Sequence, residues 1–433
     1  MVRARGRVGS TAEVGASGAL LLVLAAACIA PAPPLSTESS RRSQVERTPA
    51  AAPTRSADLV RVRLSRQEGA QALEVEGAAE TPLRFERTAA GVRCTNTGEV
   101  APRFDLTPRP GEAGLRLAGR EHAGSLSVLP GEEGGLRVEA LLPVEAYVAG
   151  VVPSELILWS AVESEIEAQA IAARSYALRS LAVREAAGQA AALWDDTRDQ
   201  VYLGTPQPGS SPAQRRVHER LLRGLEASRG LVLWDEAGGP YDVRFHASCG
   251  GRTCSPASAF PRESRLDHRP VPCEPCHEIG AAERGWPDED QRRRRVHWRW
   301  TAGSSQLDEL ARRVGVGREV VALRGVLTDA DGRWQSVELV GDAGSTRLSI
   351  ERLRAELDPA LLKSGLILRT WPATGEPVEG GLYFEGLGRG HGAGLCQVGS
   401  HEYALRGWSA REILLHYLPG ARLARLPESP PSR

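Results

Sequence analysis

The chain has 433 residues, with 54 basic and 54 acidic side chains, 46 glycines and 29 prolines. The balanced charge excludes a global electrostatic attraction to nucleic acid or to an anionic membrane, so we expect no nucleic-acid partner. The length allows two or three domains. The many glycines and prolines indicate frequent turns, and therefore much β-structure or loop.

Residues 1–28 have the pattern of a lipoprotein-type signal peptide. A basic start precedes an apolar run over residues 19–30 that is too short to span a bilayer comfortably. Cys28 follows a leucine and three alanines, and it resembles the cysteine that is lipidated in bacterial lipoproteins. A plain secretory signal and an uncleaved anchor are the alternatives. All three export the chain, so we expect an envelope protein facing the periplasm or cell wall, held to the membrane by a lipid on Cys28.

The composition then changes twice along the chain. Residues 29–58 hold almost no large apolar side chain and cannot offset the entropy of ordering, so we predict a disordered linker. Residues 59–425 form the folded domain, with a β-rich part at 59–141, where apolar and polar residues alternate in short runs, and a core at 142–425. Residues 426–433 are a flexible tail.

A long alanine-rich helix is predicted from about Ser160. Ser160 and Ser164 each begin a capping-box spacing. Apolar residues then recur every three or four positions from Ile166 to Leu181, which places them on one helix face. Shorter helices and many strands surround this segment, so the fold class is α+β, a β-rich domain with a central alanine-rich helix.

Glu155 is the first candidate for chemistry, on a short loop that we expect between a valine-rich stretch and the long helix. The apolar run Leu156-Ile157-Leu158-Trp159 follows it. A carboxyl group beside such side chains is poorly hydrated, which raises its pKa and makes it a usable general acid near neutral pH. The alternative is a glutamate near a helix N-terminus that stabilises the helix dipole.

A glycine-rich run, residues 384–399, is the second candidate. Its glycines flank His391 and allow the backbone to approach a ligand closely, leaving His391 and Gln397 as the available polar groups. The run is a poor fit to a nucleotide-binding fingerprint, because no strand, loop and helix with a later acidic residue is evident. A tight turn with a purely structural role is the alternative.

Four cysteines form the third candidate: Cys249, Cys254, Cys273 and Cys276. Cys273 and Cys276 have the spacing of a zinc knuckle, and Cys249 with Cys254 could supply the other half. Two disulfides are the alternative, natural for an exported protein. A catalytic zinc is disfavoured, because four cysteine ligands would close the site. Cys94 and Cys396 are left as buried thiols.

Several motifs, in order along residues 59–425, resemble the stage II sporulation protein D family, also called SpoIID/LytB. These motifs are Leu142-Pro-Val-Glu-Ala-Tyr-Val-Ala-Gly-Val-Val-Pro-Ser-Glu155, Ala168-Gln-Ala-Ile-Ala-Ala-Arg-Ser-Tyr-Ala177, Gln200-Val-Tyr-Leu-Gly204, Phe245-His-Ala-Ser-Cys-Gly-Gly-Arg-Thr253 and the glycine motif at 388–399. Agreement of separate motifs in order is far more specific than any single match.

The resemblance implies a peptidoglycan lytic transglycosylase. Such an enzyme cleaves the MurNAc–GlcNAc bond of glycan strands, preferably strands that lack stem peptides, and leaves a 1,6-anhydro-MurNAc end. The family's catalytic glutamate maps onto Glu155, and no cofactor is required for catalysis. The residues implied to bind the glycan are Gln169, Arg174, Tyr202, His246, His391 and Gln397. Some members bind zinc near the Gly-Gly segment, which favours a structural zinc at the cysteines.

Some positions depart from the family pattern. Arg389 stands where the glycine motif usually has tryptophan, Val398 where tyrosine is usual, and Leu156-Ile157 replaces Met-Pro after the glutamate. The first two changes could weaken sugar stacking. Two further functions therefore stay open: a glycan-binding modifier of a cell-wall amidase, and a structural envelope lipoprotein that has lost the chemistry.

Overall fold

The computed structural model describes residues 59–189, 192–260, 269–287 and 293–426. The predicted signal peptide with Cys28, the predicted linker and residues 427–433 of the predicted tail lie outside the described residues. In the described part, none of the helices is both long and apolar enough to cross a membrane.

The described α-helices are α1 (Val144–Glu155), α2 (Glu163–Ala186), α3 (Pro212–Ala227), α4 (Pro256–Ala259), α5 (Glu274–Glu283), α6 (Ser304–Val314), α7 (Ile350–Leu357), α8 (Gln397–Leu405) and α9 (Ala410–Tyr417). The strands are β1 (Leu59–Arg63), β2 (Ala72–Glu76), β3 (Leu83–Thr88), β4 (Gly91–Cys94), β5 (Val100–Ala101), β6 (Phe104–Leu106), β7 (Leu115–Leu117), β8 (Arg120–His122), β9 (Ser125–Pro130), β10 (Leu136–Pro143), β11 (Leu193–Trp194), β12 (Leu231–Trp234), β13 (Phe245–His246), β14 (His297–Gly303), β15 (Val320–Thr328), β16 (Trp334–Gly341), β17 (Gly344–Ser349), β18 (Ile367–Trp371), β19 (Gly381–Leu387), β20 (Leu395–Cys396) and β21 (Arg422–Arg425). Helices and strands in several sheets confirm the predicted α+β class.

The N-terminal part is built from two sheets. One has the strand order β11-β1-β10-β9-β6, and the other has the order β5-β4-β3-β2-β7-β8. Strand β10 alternates buried and half-buried residues along its length, as a strand with one face on a core must. Its last residue, Pro143, leads directly into α1, so the sheet fixes where that helix begins.

Helix α2 is buried on two sides. Ile166, Ala170 and Ala173 pack in the core beneath the N-terminal sheets. Ala168 and Ile171 pack in a second core together with four cysteines and helices α8 and α9. The predicted apolar face from Ile166 to Leu181 is confirmed, since its residues share the first core. The structure adds a second buried face, because small alanine side chains let elements approach the helix from both directions.

Residues 297–387 form a third packed unit between the cysteines and the glycine motif. Two three-stranded sheets, β14-β19-β18 and β15-β16-β17, enclose a core around the fully buried Trp298 and Phe384. Arg333 extends from this unit and donates hydrogen bonds to the carbonyl oxygens of Cys249 and Arg252. These bonds hold the loop that contains Cys249 and Arg252 against the third unit.

Candidate active site

Glu155 is the last residue of α1. We had expected this residue on a short loop, and the structure places it in the helix instead. The helix ends there because Leu156 is extended, with φ −114° and ψ 150°. A helix C-terminus carries the negative end of the dipole, so the alternative role of stabilising a helix N-terminus does not apply. Both the apolar neighbours and this position disfavour a negative charge on Glu155.

The carboxyl group of Glu155 is fixed by two hydrogen bonds. The peptide N–H of Val201 donates to Oε1 at 3.1 Å, and the side chain of Gln397 donates to the same carboxyl group. Burial raises the pKa of Glu155 to about 7, against these two donors, which lower it. A large fraction of the group is therefore protonated near neutral pH, as a general acid requires.

The glycine at position 150 makes the Val201 contact possible. A β-carbon there would lie 2.3 Å from the ring of Tyr202 and 2.7 Å from the carbonyl oxygen of Gly204. Without a side chain, α1 packs directly against the segment that follows Asp199 and brings Val201 beside Glu155. Gly150, which belongs to the same motif as Glu155, is therefore required for packing.

A groove of about 1900 Å³ runs past Glu155. Its walls include the apolar run that follows Glu155, one side of α2, and the loops around His246, His391 and Gln397. Ile157 and Trp159 are 61% and 59% exposed, so the lip beside Glu155 presents a large apolar surface to solvent. A groove of this size accommodates several units of a polymer.

A short parallel pairing of β13 with β20 builds the wall opposite α1. It sets Phe245 against Leu395 and His246 against Cys396, so Gln397 begins α8 beside the groove. The glycine loop approaches β13 closely, since a β-carbon on Gly394 would lie 2.1 Å from the carbonyl oxygen of Arg244. This pairing unites two motifs that are about 150 residues apart in the sequence.

The two histidines of this wall, His246 and His391, are neutral and differ in the hydrogen bonds of their ring nitrogens. Burial lowers the pKa of His246 to about 4 and that of His391 well below its ordinary value. His391 uses both ring nitrogens on backbone groups, the carbonyl of Phe245 and the N–H of Ala393. His246 bonds the carbonyl of Ala393 through Nδ1, and its Nε2 has no protein partner among the described residues. Nε2 of His246 is therefore unpaired but buried behind the groove surface, so it is not exposed to a ligand in this structure.

The comparisons with known proteins match this region. A profile of the SpoIID family, described as stage II sporulation protein, matches residues 132–234. Residues 132–234 are a SpoIID domain. An uncharacterized protein of Brachyspira hyodysenteriae is 26% identical over 308 residues, which cover 71% of this chain and 73% of that protein. The SpoIID domain indicates a function related to the cell wall and is compatible with an enzyme.

The SpoIID domain contains Glu155 and α2, whereas the histidine and glycine loops lie beyond its C-terminal end at residue 234. The domain therefore supplies the carboxyl group and one wall of the groove. Gln397, which bonds that carboxyl group, comes from the far wall. The candidate site is complete only when both parts of the chain pack together.

Three residues that we expected to bind glycan lie away from the groove walls. Arg174 is fully buried; it pairs with Glu145 at 2.6 Å and donates to two carbonyl oxygens near β12. Tyr202 is buried, with its hydroxyl 3.3 Å from Nδ1 of His122. Gln169 is buried behind Gln397, and their amide groups are 3.5 Å apart. The structure thus gives Arg174 and Tyr202 packing roles, and it gives Gln169 a role in positioning Gln397.

The cysteine cluster of the structure differs from the predicted set by one member. The sulfurs of Cys249, Cys273, Cys276 and Cys396 all lie within 4.8 Å of one another, and all four residues are buried. Cys254 lies outside this group and its thiol bonds the carbonyl of His391. Cys396 takes its place because the β13–β20 pairing draws the glycine motif toward Cys249. The four sulfurs form a group that could bind a metal ion.

The two substitutions in the glycine motif lie outside the groove walls. Arg389 is buried and donates to the carbonyl oxygens of Arg294 and Arg295. Val398 packs against the core that holds the cysteine cluster, and its N–H donates to the carbonyl of Ala247. Neither side chain faces the groove, so the expected weakening of sugar stacking has no basis in this geometry.

Proposed function

We propose that the chain is a peptidoglycan lytic transglycosylase that cleaves MurNAc–GlcNAc bonds with Glu155 as its single catalytic acid and base. One observation carries the proposal: a carboxyl group with a pKa of about 7 lies in the wall of a groove of about 1900 Å³. The SpoIID domain that contains this residue gives the cell-wall context.

The reaction needs one proton-transfer group. Protonated Glu155 donates its proton to the glycosidic oxygen as the bond from that oxygen to C1 of MurNAc breaks. The carboxylate then accepts the proton of the C6 hydroxyl while O6 bonds to C1, which closes the 1,6-anhydro ring. The proton count balances and no water is consumed. The Val201 N–H and the Gln397 side chain stabilise the carboxylate formed between the two steps.

The other acidic side chains of the described groove walls are already engaged. Asp199 pairs with Arg184 at 2.6 Å, and Asp242 pairs with Arg244 at 3.2 Å. Hydrolases that use a carboxylate pair need a second free carboxylate on the other side of the scissile bond. Engagement of these two groups favours the mechanism with one glutamate.

The test is to incubate the full chain with glycan strands free of stem peptides and to analyse the products by mass spectrometry. We expect anhydro-muramyl ends with the native chain and none with Glu155→Gln, whose amide cannot transfer the proton. A native chain that binds the strands but forms no product would contradict the enzyme proposal. That result would leave the alternative, a glycan-binding modifier of an amidase.

For the cysteine cluster we propose a structural zinc ion. Four thiolates are a common zinc ligand set and leave no open position for catalysis. Sulfurs within 4.8 Å of one another lie close to the spacing of a zinc tetrathiolate. Cys396 immediately precedes Gln397, so an ion here would hold the far wall in place.

The zinc proposal is tested by metal analysis of protein purified without chelator. We expect about one zinc per chain, lost in Cys396→Ser and retained in the matched variant Cys254→Ser. Absence of zinc in the native chain together with absence of free thiols would contradict the proposal and favour two disulfides.

We also propose that the chain acts in the cell envelope, attached to the membrane through a lipid on Cys28. The proposal rests on the N-terminal sequence and on the cell-wall context of the SpoIID domain. Labelled palmitate should be incorporated into the native chain and not into Cys28→Ala. Equal labelling of both would contradict it.

A further inference from the structure

The groove carries more positive than negative charge along its described walls. Five arginines line it, Arg66, Arg179, Arg184, Arg198 and Arg244, against three acidic residues, Glu155, Asp199 and Asp242. Glu155 is only partly ionised near pH 7 because of its raised pKa. A groove with this excess attracts an anionic strand and raises its local concentration.

Three of the five arginines are occupied by protein carboxylates. Arg184 pairs with Asp199, and Arg244 pairs with Asp242. Arg198 pairs with Asp196 at 2.5 Å and stacks over the ring of Trp194. These guanidinium groups contribute mainly to the shape of the groove.

Arg66 and Arg179 differ from these three. Among the described residues, neither guanidinium makes an ion pair or a side-chain hydrogen bond. Arg179 is half-buried on α2, close to Gly239. The carboxylate nearby, that of Asp235, accepts the N–H of Gly239 at 2.8 Å and makes no ion pair with Arg179. Arg179 is therefore a partly desolvated cation on the groove wall that is available to a ligand.

The position of Arg179 fits a subsite away from the bond that is cleaved. Gln169, which contacts Gln397 behind Glu155, lies ten residues earlier on the same helix. Ten residues of α-helix span about 15 Å. A short oligosaccharide covers this distance, so a strand with its scissile bond at Glu155 can reach Arg179 with a sugar a few units from that bond.

We propose that Arg179 binds the free lactyl carboxylate of a MurNAc unit and so makes the groove selective for strands without stem peptides. The inference rests on the proposed function. A MurNAc unit that bears a stem peptide has its lactyl group in an amide bond, which carries no charge. A MurNAc unit without the peptide presents a carboxylate, which a guanidinium binds with two parallel hydrogen bonds.

The apolar lip supplies a contribution to binding that is independent of charge. Trp159 is more than half exposed beside Glu155 and presents a face on which a sugar ring can stack. The lip treats neutral and anionic sugars alike, because stacking does not depend on the lactyl group. Discrimination between the two kinds of strand therefore falls to an unpaired guanidinium group. Arg66 is exposed and screened by solvent, whereas Arg179 is half-buried, so we assign the discrimination to Arg179. The two contributions to binding can be measured separately.

The experiment measures binding in the Glu155→Gln background, so that strands are not cleaved. The probes are peptide-free strands and the same strands with their lactyl carboxylates converted to methylamides. We expect the full chain to bind the free-acid strands about tenfold more tightly. Arg179→Gln should remove this preference and leave binding of the amidated strands unchanged. Arg116→Gln, with the same charge change at the exposed position of strand β7, should retain the preference.

The outcomes separate this inference from the proposed function. Equal binding of the two strands by the Glu155→Gln chain with Arg179 intact would overturn the inference alone. So would an equal loss of affinity for both strands when Arg179→Gln is added. Failure to bind either strand would overturn the proposed function with it. Unchanged affinity of Arg179→Gln for amidated strands also serves as the check that this variant is folded.

Discussion

The peptide N–H of Val201 donates a hydrogen bond to the carboxyl oxygen of Glu155 across 46 residues of sequence. This donor favours the carboxylate, whereas burial favours the acid, and burial has the larger effect on the pKa. The balance leaves a pKa of about 7. Glu155 can therefore give up a proton and take one back at the pH of a cell envelope.

The first prediction is the pH dependence of cleavage. The first step needs protonated Glu155, and burial raises the pKa of that group to about 7. We expect kcat/KM for peptide-free strands to fall as the pH rises through about 7, tenfold per pH unit well above it. A profile that stays flat up to pH 9 would contradict the assignment of Glu155 as the acid.

The second prediction concerns stability. Since the pKa of Glu155 is higher in the folded chain than its ordinary value, the folded state binds the proton more tightly than the unfolded state does. The native chain should therefore lose stability as the pH rises between about 4.5 and 7. Glu155→Gln has no charge to bury, so at pH 8 its free energy of unfolding should exceed that of the native chain by about 3 kcal/mol.

Urea unfolding at pH 5 and at pH 8 tests this prediction. The variant should be distinctly more stable than the native chain only at the higher pH. A variant less stable than the native chain at pH 8 would show that Glu155 stabilises the fold as a carboxylate, contrary to the structure.

The third prediction distinguishes a positioning role of Gln397 from a purely structural one. Gln397 donates to the carboxyl group of Glu155 and lowers its pKa. Gln397→Met should move the alkaline limb of the pH–rate profile to higher pH, in addition to lowering kcat. Loss of activity with an unmoved limb would indicate that Gln397 acts only through packing or substrate contact. Glu402→Gln, on the same helix but outside the groove walls and paired with Arg295, serves as the control.

The fourth prediction concerns Arg174. Its guanidinium is buried and holds Glu145 together with two carbonyl oxygens. Removing one partner of a buried pair leaves the other uncompensated, so Arg174→Met should lower the free energy of unfolding by about 3–5 kcal/mol. Denaturant unfolding measures the loss. Glycan affinity of the remaining folded protein should not change, and a selective loss of affinity without loss of stability would restore the role expected from the sequence.

The fifth prediction concerns Arg389, the departure from the family motif that was expected to affect sugar stacking. Because its side chain bonds two backbone carbonyls away from the groove, Arg389→Gln should cost about 2 kcal/mol of stability. The affinity for peptide-free strands, measured by titration at a temperature well below unfolding, should stay within twofold of native. A large loss of affinity at unchanged stability would contradict this placement.

The sequence predicted those parts of the site that depend on local pattern. Apolar residues next to Glu155 already indicated a raised pKa, and the order of motifs indicated the partner loops. The Val201 contact could not be foreseen, since it uses a backbone N–H brought in by packing at Gly150. Burial of Arg174 could have been read from the helix period, because it lies two residues, or about 200°, from Tyr176 on the groove side.

The cysteine ligand set shows where local pattern fails. Local pattern predicts Cys254 as a ligand because it is close to Cys249 in the sequence, whereas Cys396 is 147 residues from Cys249. Only the pairing of β13 with β20 brings Cys396 to the cluster. Two-residue strands have too little pattern to predict such a pairing. The same pairing positions Gln397 beside Glu155. The error in the cysteine ligand set and the unforeseen contact between Gln397 and Glu155 therefore have one cause.

The most direct test of the single-glutamate mechanism is cleavage of peptide-free strands in water enriched in oxygen-18. If the C6 hydroxyl of MurNAc attacks C1, the muramyl ends formed by the native chain carry no oxygen-18 and are one water lighter than a reducing end. Glu155→Gln should form no such ends. Muramyl ends that carry oxygen-18, or equal product from Glu155→Gln, would contradict the account.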